Sequence, residues 1–338
     1  MSEELGVRYV LEGSLRKVGN RVRITAQLID ALSGRHIWSE RYDREVKDIL
    51  ILQDEIMREI LTEMQVKLTE GEQARSWRSK KLKTGNRKAW QARMKTWQAR
   101  SHFFRMNPEG YAMARQLAEE SIEIEPNVAG YVYLAFIYLA DISSGRSKSP
   151  RKSMELAEEC AQKALQLDDS QPMARITLGQ IYLYKRQHEK AIAEGEKALA
   201  LDPNGAEVHN HLGYFLRMAG RSEEAIPLFK KAIRLNPYPP SFYYSRLGSA
   251  YATTGRYDEA VAACKKALKR QPNDMPALIL LAILYSSQGL EEEARVYAGK
   301  VLRIAPNFSV ERFAKALPFK DKATNERIIG ALRNAGLK

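Results

Sequence analysis

Residue types that commonly carry chemistry are sparse in this chain of 338 residues. The candidates are five histidines and two cysteines: His36, His102, His188, His209, His211, Cys160 and Cys264. Only His209 and His211 are close in sequence, and side chains at i and i+2 of a helix point to different faces. Glycine-rich phosphate loops and the His-Glu-x-x-His and Gly-x-Ser-x-Gly motifs are absent from the sequence. The sequence therefore predicts no catalytic residue, no metal site and no cofactor, and we expect the chain not to be an enzyme.

Basic and aromatic residues interleave between Gln73 and Pro108, where eleven Lys and Arg residues and no acidic residue occur. Such a segment can bind nucleic acid by combining phosphate contacts with base stacking. Helical spacing supports a different interpretation, a packed helix face made of Trp90, Met94, Trp97 and Phe104. The basic residues Arg87, Arg93 and Arg100 would then lie towards solvent, and only Trp77 would be unassigned. We expect no nucleic-acid partner and keep nucleic-acid binding by residues 73–108 as an alternative function.

The formal net charge of the chain is +13, and the segment between Gln73 and Pro108 contributes eleven of these positive charges. The rest of the chain is therefore nearly balanced in charge. The presence of only two cysteines argues against a disulfide framework and favours a reducing compartment. The first residues lack the basic and apolar regions of a signal peptide. The longest apolar run, Ala277–Tyr285, is shorter than the ~20 residues that a membrane span requires. We therefore expect a cytoplasmic protein with no membrane span.

A repeat organises the rest of the sequence. Prolines recur at 34- or 35-residue intervals, at Pro203, Pro237, Pro272 and Pro306. Two helical patterns precede each proline, as in SFYYSRLGSAYATTGR followed by AVAACKKALKRQP. Two weaker copies end at Pro126 and Asp169, and the second contains the turn-rich insertion DISSGRSKSPRK. A fixed period of this length is typical of a solenoid, in which each unit buries its apolar face against its neighbours.

Small residues at fixed positions explain the spacing of the repeat. Glycine or alanine in the first helix would let the second helix approach closely, at Gly179, Gly213, Gly248 and Ala282. Alanines in the second helix would do the same, at Ala191, Ala225, Ala260 and Ala294. Gly220, Gly255 and Gly289 fit the turn between the helices, where a left-handed residue ends the first helix. The cysteines Cys160 and Cys264 fall in second helices and are predicted to be small buried residues.

The pattern Leu-Gly-x-x-Tyr, Gly-x-Tyr-x-x-Ala and Ala-Leu-x-x-x-Pro resembles the tetratricopeptide repeat. The resemblance implies six units over residues 86–306, and residues 307–338 would be helices that cap the last unit. It also implies a concave groove that binds an extended peptide or a partner helix. The groove positions would be Tyr133, Ile137, Ile176, Gln180, Tyr184, Asn210, Tyr214, Arg217, Ser245, Ser249, Ile279 and Ile283.

The amino-terminal residues predict a different unit. Residues 7–43 contain three short β-rich segments, and in one of them Val22, Ile24, Ala26 and Leu28 alternate with polar residues. Gly19-Asn20 and Ser33-Gly34 fit hairpin turns, and Val46–Leu68 has a helical stripe. We expect a three-stranded antiparallel sheet with one helix in residues 1–69, then a basic linker over residues 70–85.

This amino-terminal segment, with the closing LPFKD and NAGL, resembles bacterial proteins related to class III adenylate cyclases. In those proteins a TolB-like domain precedes tetratricopeptide repeats, and residues 1–69 resemble the second half of that domain. The expected fold is therefore mainly α, a solenoid preceded by a small α+β segment. We expect a non-catalytic scaffold that binds a protein or peptide. The alternative is a regulatory fragment of a cyclase-like protein, and residues 1–69 are expected to self-associate.

Overall fold

The computed structural model describes residues 9–30, 34–45, 56, 87–105, 107–236 and 238–338. The chain divides into two compact units, Met1–Trp90 and Gln91–Lys338, which are described separately. The predicted linker over residues 70–85 lies outside the described residues, as does the predicted helix Val46–Leu68 apart from Ile56.

The first unit contains the predicted three-stranded antiparallel sheet. Its strands are β1 (Tyr9–Val18), β2 (Arg21–Asp30) and β3 (Arg35–Glu45), in the order β1-β2-β3. Both hairpin turns contain a glycine with positive φ, +59° at Gly19 and +67° at Gly34, which residues with a Cβ rarely adopt. The sheet confirms the fold class expected for this part of the chain.

One face of the sheet is buried at β2 and open at β1. Val22, Ala26 and Leu28 are buried, as the alternation predicts. Leu11 lies opposite Leu28 and Leu15 lies opposite Ile24, so these leucines belong to the same face. They are nevertheless 53% and 60% exposed. The apolar face therefore continues onto an edge strand where much of it is accessible.

The second unit is built of helices, and its first helix begins at the end of the first unit. The helices are α1 (Arg87–Phe103), α2 (Pro108–Ile124), α3 (Val128–Ser143), α4 (Pro150–Leu167), α5 (Pro172–Tyr184), α6 (His188–Leu201), α7 (Ala206–Met218), α8 (Ser222–Leu235), α9 (Ser241–Thr253), α10 (Tyr257–Arg270), α11 (Met275–Ser287), α12 (Glu291–Ile304), α13 (Val310–Ala316) and α14 (Lys322–Asn334). Consecutive helices from α1 to α12 form pairs, and successive pairs pack on one another. This confirms the mainly helical array.

Small residues bring the two helices of a pair together. A Cβ added at Gly248 of α9 would lie 3.0 Å from the Sγ of Cys264 and 3.1 Å from the carbonyl oxygen of Ala260, both on α10. The facing alanines of the second helices are fully buried: Ala191, Ala225, Ala260 and Ala294. Cys160 and Cys264 are free and buried. The close approach buries apolar surface, which is the main favourable contribution to folding.

The turns inside the pairs use left-handed residues. Gly220, Gly255 and Gly289 have φ of +86°, +76° and +75°. In the turn between α5 and α6 the corresponding residue is Arg186, with φ of +60°. A left-handed conformation is unfavourable for arginine, and the side chain of Arg186 has long-range contacts that the glycines lack.

Helix α1 corrects the prediction of a buried aromatic stripe. Trp97 is 63% exposed and Met94 is 37% exposed, and nothing is described of the Trp90 side chain. The packed face consists instead of small residues, Ala92, Thr96 and Ala99. The Oγ of Ser121 on α2 donates a hydrogen bond of 2.7 Å to the carbonyl oxygen of Ala92. Small side chains bury this face because they admit α2 to within hydrogen-bonding distance, which a tryptophan would prevent.

The carboxyl-terminal segment has two contacts with the array. Leu332, Ala335 and Leu337 are buried beside α11, where they cover the last helix pair. Residues 315–320, which we call the crossing segment, lie against the α5–α6 turn and the end of α7. Arg186 donates to the carbonyl oxygen of Phe319 at 2.9 Å, and the amide of Lys320 donates to the carbonyl oxygen of Met218 at 2.9 Å. Phe319 is buried in the same cluster as Leu216 and Phe215.

Within the described residues, each helix falls short of the length and apolar character that crossing a membrane would require.

Candidate functional site: the concave cavity

The array encloses a cavity of about 1980 Å³. Most of its wall comes from the first helix of each pair, α1, α3, α5, α7, α9 and α11, and from the carboxyl-terminal segment. The turns inside the pairs and the starts of some second helices, such as α8, form its rim. The second helices pack on the outside of the first ones, so the first helices present their remaining face inward. The cavity is the concave surface that the repeat resemblance implies.

Contacts between distant repeats bridge this concave surface. Arg100 at the end of α1 forms an ion pair with Glu207 at the start of α7. Phe104 stacks on Phe242 at the start of α9, with ring centroids 5.6 Å apart and an interplanar angle of 17°. On the other side the crossing segment reaches the α5–α6 turn, where the Nε2 of His188 lies 2.8 Å from the carbonyl oxygen of Pro318.

Aromatic and aliphatic side chains dominate the wall of the cavity. Phe136 stacks on His211 with ring centroids 5.5 Å apart, and Phe242 packs edge-on against Tyr243. Ile279 and Ile283 of α11 continue the apolar surface. Apolar concave sites with a few polar groups are the usual form of a ligand site.

Nine of the twelve predicted groove residues line the cavity: Tyr133, Gln180, Tyr184, Tyr214, Arg217, Ser245, Ser249, Ile279 and Ile283. Ile137, Ile176 and Asn210 do not, and each is buried with at most 1% of its surface exposed. Asn210 accepts a hydrogen bond from Arg246 through its Oδ1, so it positions that arginine. Contact of any of these residues with a partner stays a prediction.

The sequence prediction missed Phe136, His211, Phe242 and Arg246, which also line the cavity. The prediction placed the inward residues four positions apart in helices such as α3, at Tyr133 and Ile137. A helix turns once in 3.6 residues, so the inward stripe alternates steps of three and four. In α9 the inward residues include Phe242, Ser245, Arg246 and Ser249. A prediction with alternating spacings of three and four residues would have included Arg246 and excluded Ile137.

Two arginines stand out among the polar residues of the cavity. Arg217 is 8% exposed, and its Nε is buried without a hydrogen-bond partner. Its guanidinium carbon lies 5.6 Å from the ring centroid of Tyr214 and 5.2 Å from that of Phe319. The guanidinium carbon of Arg246 lies 4.4 Å from the Tyr214 centroid. Both positive charges therefore face one tyrosine ring.

Burial sets the protonation of this group of residues. Desolvation lowers the pKa of Arg217 to about 10 and also lowers the pKa of Arg246, and the charge of Arg246 adds to the effect on Arg217. Desolvation raises the pKa of Tyr214, so its phenol stays neutral at pH 7. Desolvation and the charge of Arg246 hold the pKa of His211 well below its ordinary value. The cavity is therefore positively charged at neutral pH through its arginines and not through His211.

The described residues include no group of three or more His, Cys, Asp or Glu side chains arranged to hold a metal ion.

Comparisons with known proteins identify the repeats. Tetratricopeptide-repeat models match residues 154–206, 176–240, 241–274 and 276–308. A protein called "Putative adenylate cyclase 3" from Rhizobium meliloti (strain 1021) is 37% identical to this chain over 192 residues. That match covers 56% of this chain and 32% of the relative, so the chain corresponds to about a third of the relative's length.

Solved structures that match part of this chain include PilW, a widely conserved type IV pilus biogenesis factor. It is 24% identical with a TM-score of 0.46, and the match covers 61% of this chain and 87% of PilW. The Cut9-Hcn1 hetero-tetramer of APC/C is 20% identical with a TM-score of 0.49, and the match covers 62% of this chain and 40% of that one. The resemblance of residues 1–69 to a TolB-like domain stays a prediction.

Proposed function

We propose that the chain, which is a tetratricopeptide-repeat protein, binds an extended segment of a partner protein in its concave cavity and acts as a non-catalytic scaffold. The observation that supports this proposal is the cavity of about 1980 Å³, lined by aromatic and aliphatic side chains of six helices. A segment that enters it would bury apolar surface on several repeats at once, and burial of this kind drives most protein association.

Selection of peptides from a random display library on the full chain tests this proposal. We expect peptides whose binding is lost in Ser249→Trp, because an indole at this position would occupy part of the cavity. Val296→Trp is the matched control, since Val296 is 56% exposed on the outer helix α12 and is not among the cavity residues. Peptides that bind Ser249→Trp and the wild type equally well, or a failure to select any peptide, would contradict the proposal.

The similarity to the rhizobial relative supports a second candidate function. We propose as this alternative that the chain is the regulatory part of a class III adenylate cyclase-like protein, with catalysis in a separate domain. In both cases the purified chain is expected to form no cyclic nucleotide from ATP. Cyclase activity that copurifies with the chain would contradict both candidates, and a cyclase domain encoded in frame upstream of Met1 would favour the second.

A further inference from the structure

We infer that the cavity recognises an anionic group of its partner segment, held by the guanidinium groups of Arg217 and Arg246. The inference deepens the proposed function and rests on it, because the proposed function is the reason to expect a polypeptide ligand. The negative charge of that ligand is inferred from the geometry of the two arginines.

These two charges lack a counterion within the part of the chain that the structure describes. Arg217 makes no ion pair there and leaves its buried Nε unpaired. Arg246 donates one hydrogen bond, to the neutral amide of Asn210. A buried positive charge without a counterion is costly, by several kcal/mol in effective terms. The buried Arg217 incurs this cost in full and the half-buried Arg246 in part, and both line the cavity.

Two other arginines of the same wall do have counterions. Arg146 pairs with Asp141 at 2.9 Å, and Arg221 pairs with Glu224 at 2.6 Å. Both are more exposed than Arg217, so they need a counterion less. Arg146 and Arg221 thus each have an acidic partner, whereas the described residues offer none to Arg217 and Arg246.

The acidic residues of the described wall do not serve as counterions to the two arginines. Glu207 is paired with Arg100, and Glu224 with Arg221. Glu223 also lines the cavity, but it is exposed and forms no ion pair with either arginine. Asp321 caps α14 by accepting from the amides of Ala323 and Thr324. Tyr214 contacts both arginines through its ring, but its pKa is raised by burial and it carries no charge at neutral pH. A ring face attracts a cation without neutralising it.

The chemistry of the guanidinium group then selects the ligand. Its planar donors match the two oxygens of a carboxylate or the oxygens of a phosphoryl group. The surrounding rings of Phe136, Phe242 and Tyr214 favour an apolar neighbour for that anion. The ligand class is therefore a protein segment in which an acidic or phosphorylated residue adjoins an apolar one.

Three small probes test the charge requirement without reference to any partner: 3-phenylpropanoate, phenyl phosphate and the neutral 3-phenylpropanamide. Their binding to the full chain is followed by ligand-observed NMR titration. At least one of the anions is expected to bind about tenfold or more tightly than the amide, the size of effect that an ionic hydrogen bond typically gives. The anion preferred distinguishes a carboxylate from a phosphoryl source.

Substitution of each arginine tests whether it causes the preference for anionic probes. Arg246→Gln and Arg217→Gln are expected to abolish the preference for anions, and Arg295→Gln on the outer helix α12 is the matched control. Arg246→Gln keeps the test decisive if Arg217→Gln unfolds, because the Arg246 side chain is less buried. Equal binding of anion and amide, or a preference that survives Arg246→Gln, overturns the inference.

The two proposals can fail separately. If anions bind at the arginine pair but no peptide is selected, the charge inference stands and the polypeptide function fails. If peptides are selected in the cavity and their Glu-to-Gln or Asp-to-Asn versions bind equally well, the function stands and the charge inference fails.

Discussion

Gly248 occupies one of the closest approaches between two helices of the array. Three atoms of α10 would lie within 3.4 Å of a Cβ at this position, and one of them is a backbone oxygen that cannot move aside. Gly299 provides the opposite case. It also lies inside a helix, but no neighbouring atom lies within 4 Å of the position that its Cβ would take.

We predict that Gly248→Leu destabilises the fold by about 1–3 kcal/mol, the usual cost of overpacking. Gly299→Leu is the matched control and is expected to raise stability by up to about 1 kcal/mol, since leucine favours a helix more than glycine does. Urea unfolding of both variants measures the difference. An unchanged midpoint for Gly248→Leu would mean that the helices can separate at no cost.

Asp274 caps α11, and its Oδ1 accepts from the amide of Ala277 at 2.9 Å. It is fully buried, and desolvation raises its pKa above the ordinary value of 3.8. The unfolded chain releases this proton at the ordinary pKa. The stability that the protonated group contributes is therefore complete below 3.8 and is lost as the pH rises from there through the raised pKa.

Asp274→Asn keeps the hydrogen-bond acceptor and removes the ionisation. We predict that the stability of this variant relative to the wild type increases between about pH 4 and pH 7. Asp321→Asn is the control of opposite sign, because hydrogen bonding to Thr324 lowers the pKa of the exposed cap Asp321. Its relative stability should decrease as the pH rises towards 3.8 and stay constant above it. Parallel trends for the two variants in urea unfolding would refute the assignment.

At the scale of elements, the crossing segment depends on one aromatic anchor. Phe319 is 9% exposed and lies over the guanidinium group of Arg217, while its carbonyl oxygen accepts from Arg186. Trypsin cleaves after lysine, and Lys315 and Lys320 lie at the two ends of the segment. Cleavage at these lysines therefore reports whether the segment stays in place.

We predict that Phe319→Ala releases the crossing segment and increases the rate of tryptic cleavage at Lys315 or Lys320 at least severalfold. Replacement of a buried phenylalanine by alanine typically costs about 3–5 kcal/mol, and the loss falls on the side chain that anchors the segment. Leu302→Ala is the control, since Leu302 is 37% exposed on α12. Cleavage at the wild-type rate would show that the backbone hydrogen bonds suffice.

The helix pairs could be predicted from the sequence, whereas the bridging of the concave face could not. Glycines and alanines at a fixed period indicate close helix pairs because each contact lies within one repeat. The hydrogen bond from Arg186 to Phe319 joins residues 133 apart, and the Arg100–Glu207 pair joins residues 107 apart. These contacts have no period, so Arg186 was indistinguishable from a surface arginine. In α1 the aromatic residues suggested the packed face, but the small residues formed it.

At the scale of the whole molecule, the accessible leucines of β1 bear on self-association. Leu11 and Leu15 extend the buried face of the sheet onto an edge strand. An edge strand with accessible apolar side chains and free backbone groups favours pairing with another chain. The expected partner for residues 1–69 is a second copy of the chain.

We predict that the full chain is a dimer in solution and that Leu11→Lys with Leu15→Lys makes it a monomer. Sedimentation equilibrium gives the mass of each protein. Ser14→Lys is the control, because Ser14 is exposed and lies on the opposite face of the same strand. A monomeric wild type would show that the self-association hypothesis is wrong.

The crossing segment also sets the order in which the molecule is completed during its synthesis. Residues 315–320 emerge from the ribosome after all six helix pairs, and only then can Phe319 meet Arg186 and Arg217. Closing so long a loop carries an entropic cost that local helix pairing does not. A nascent chain therefore presents a concave surface that lacks the crossing segment for as long as translation of the last residues takes. A partner that is present during translation meets this surface before the crossing segment is in place, whereas a partner that arrives later has to bind beside that segment.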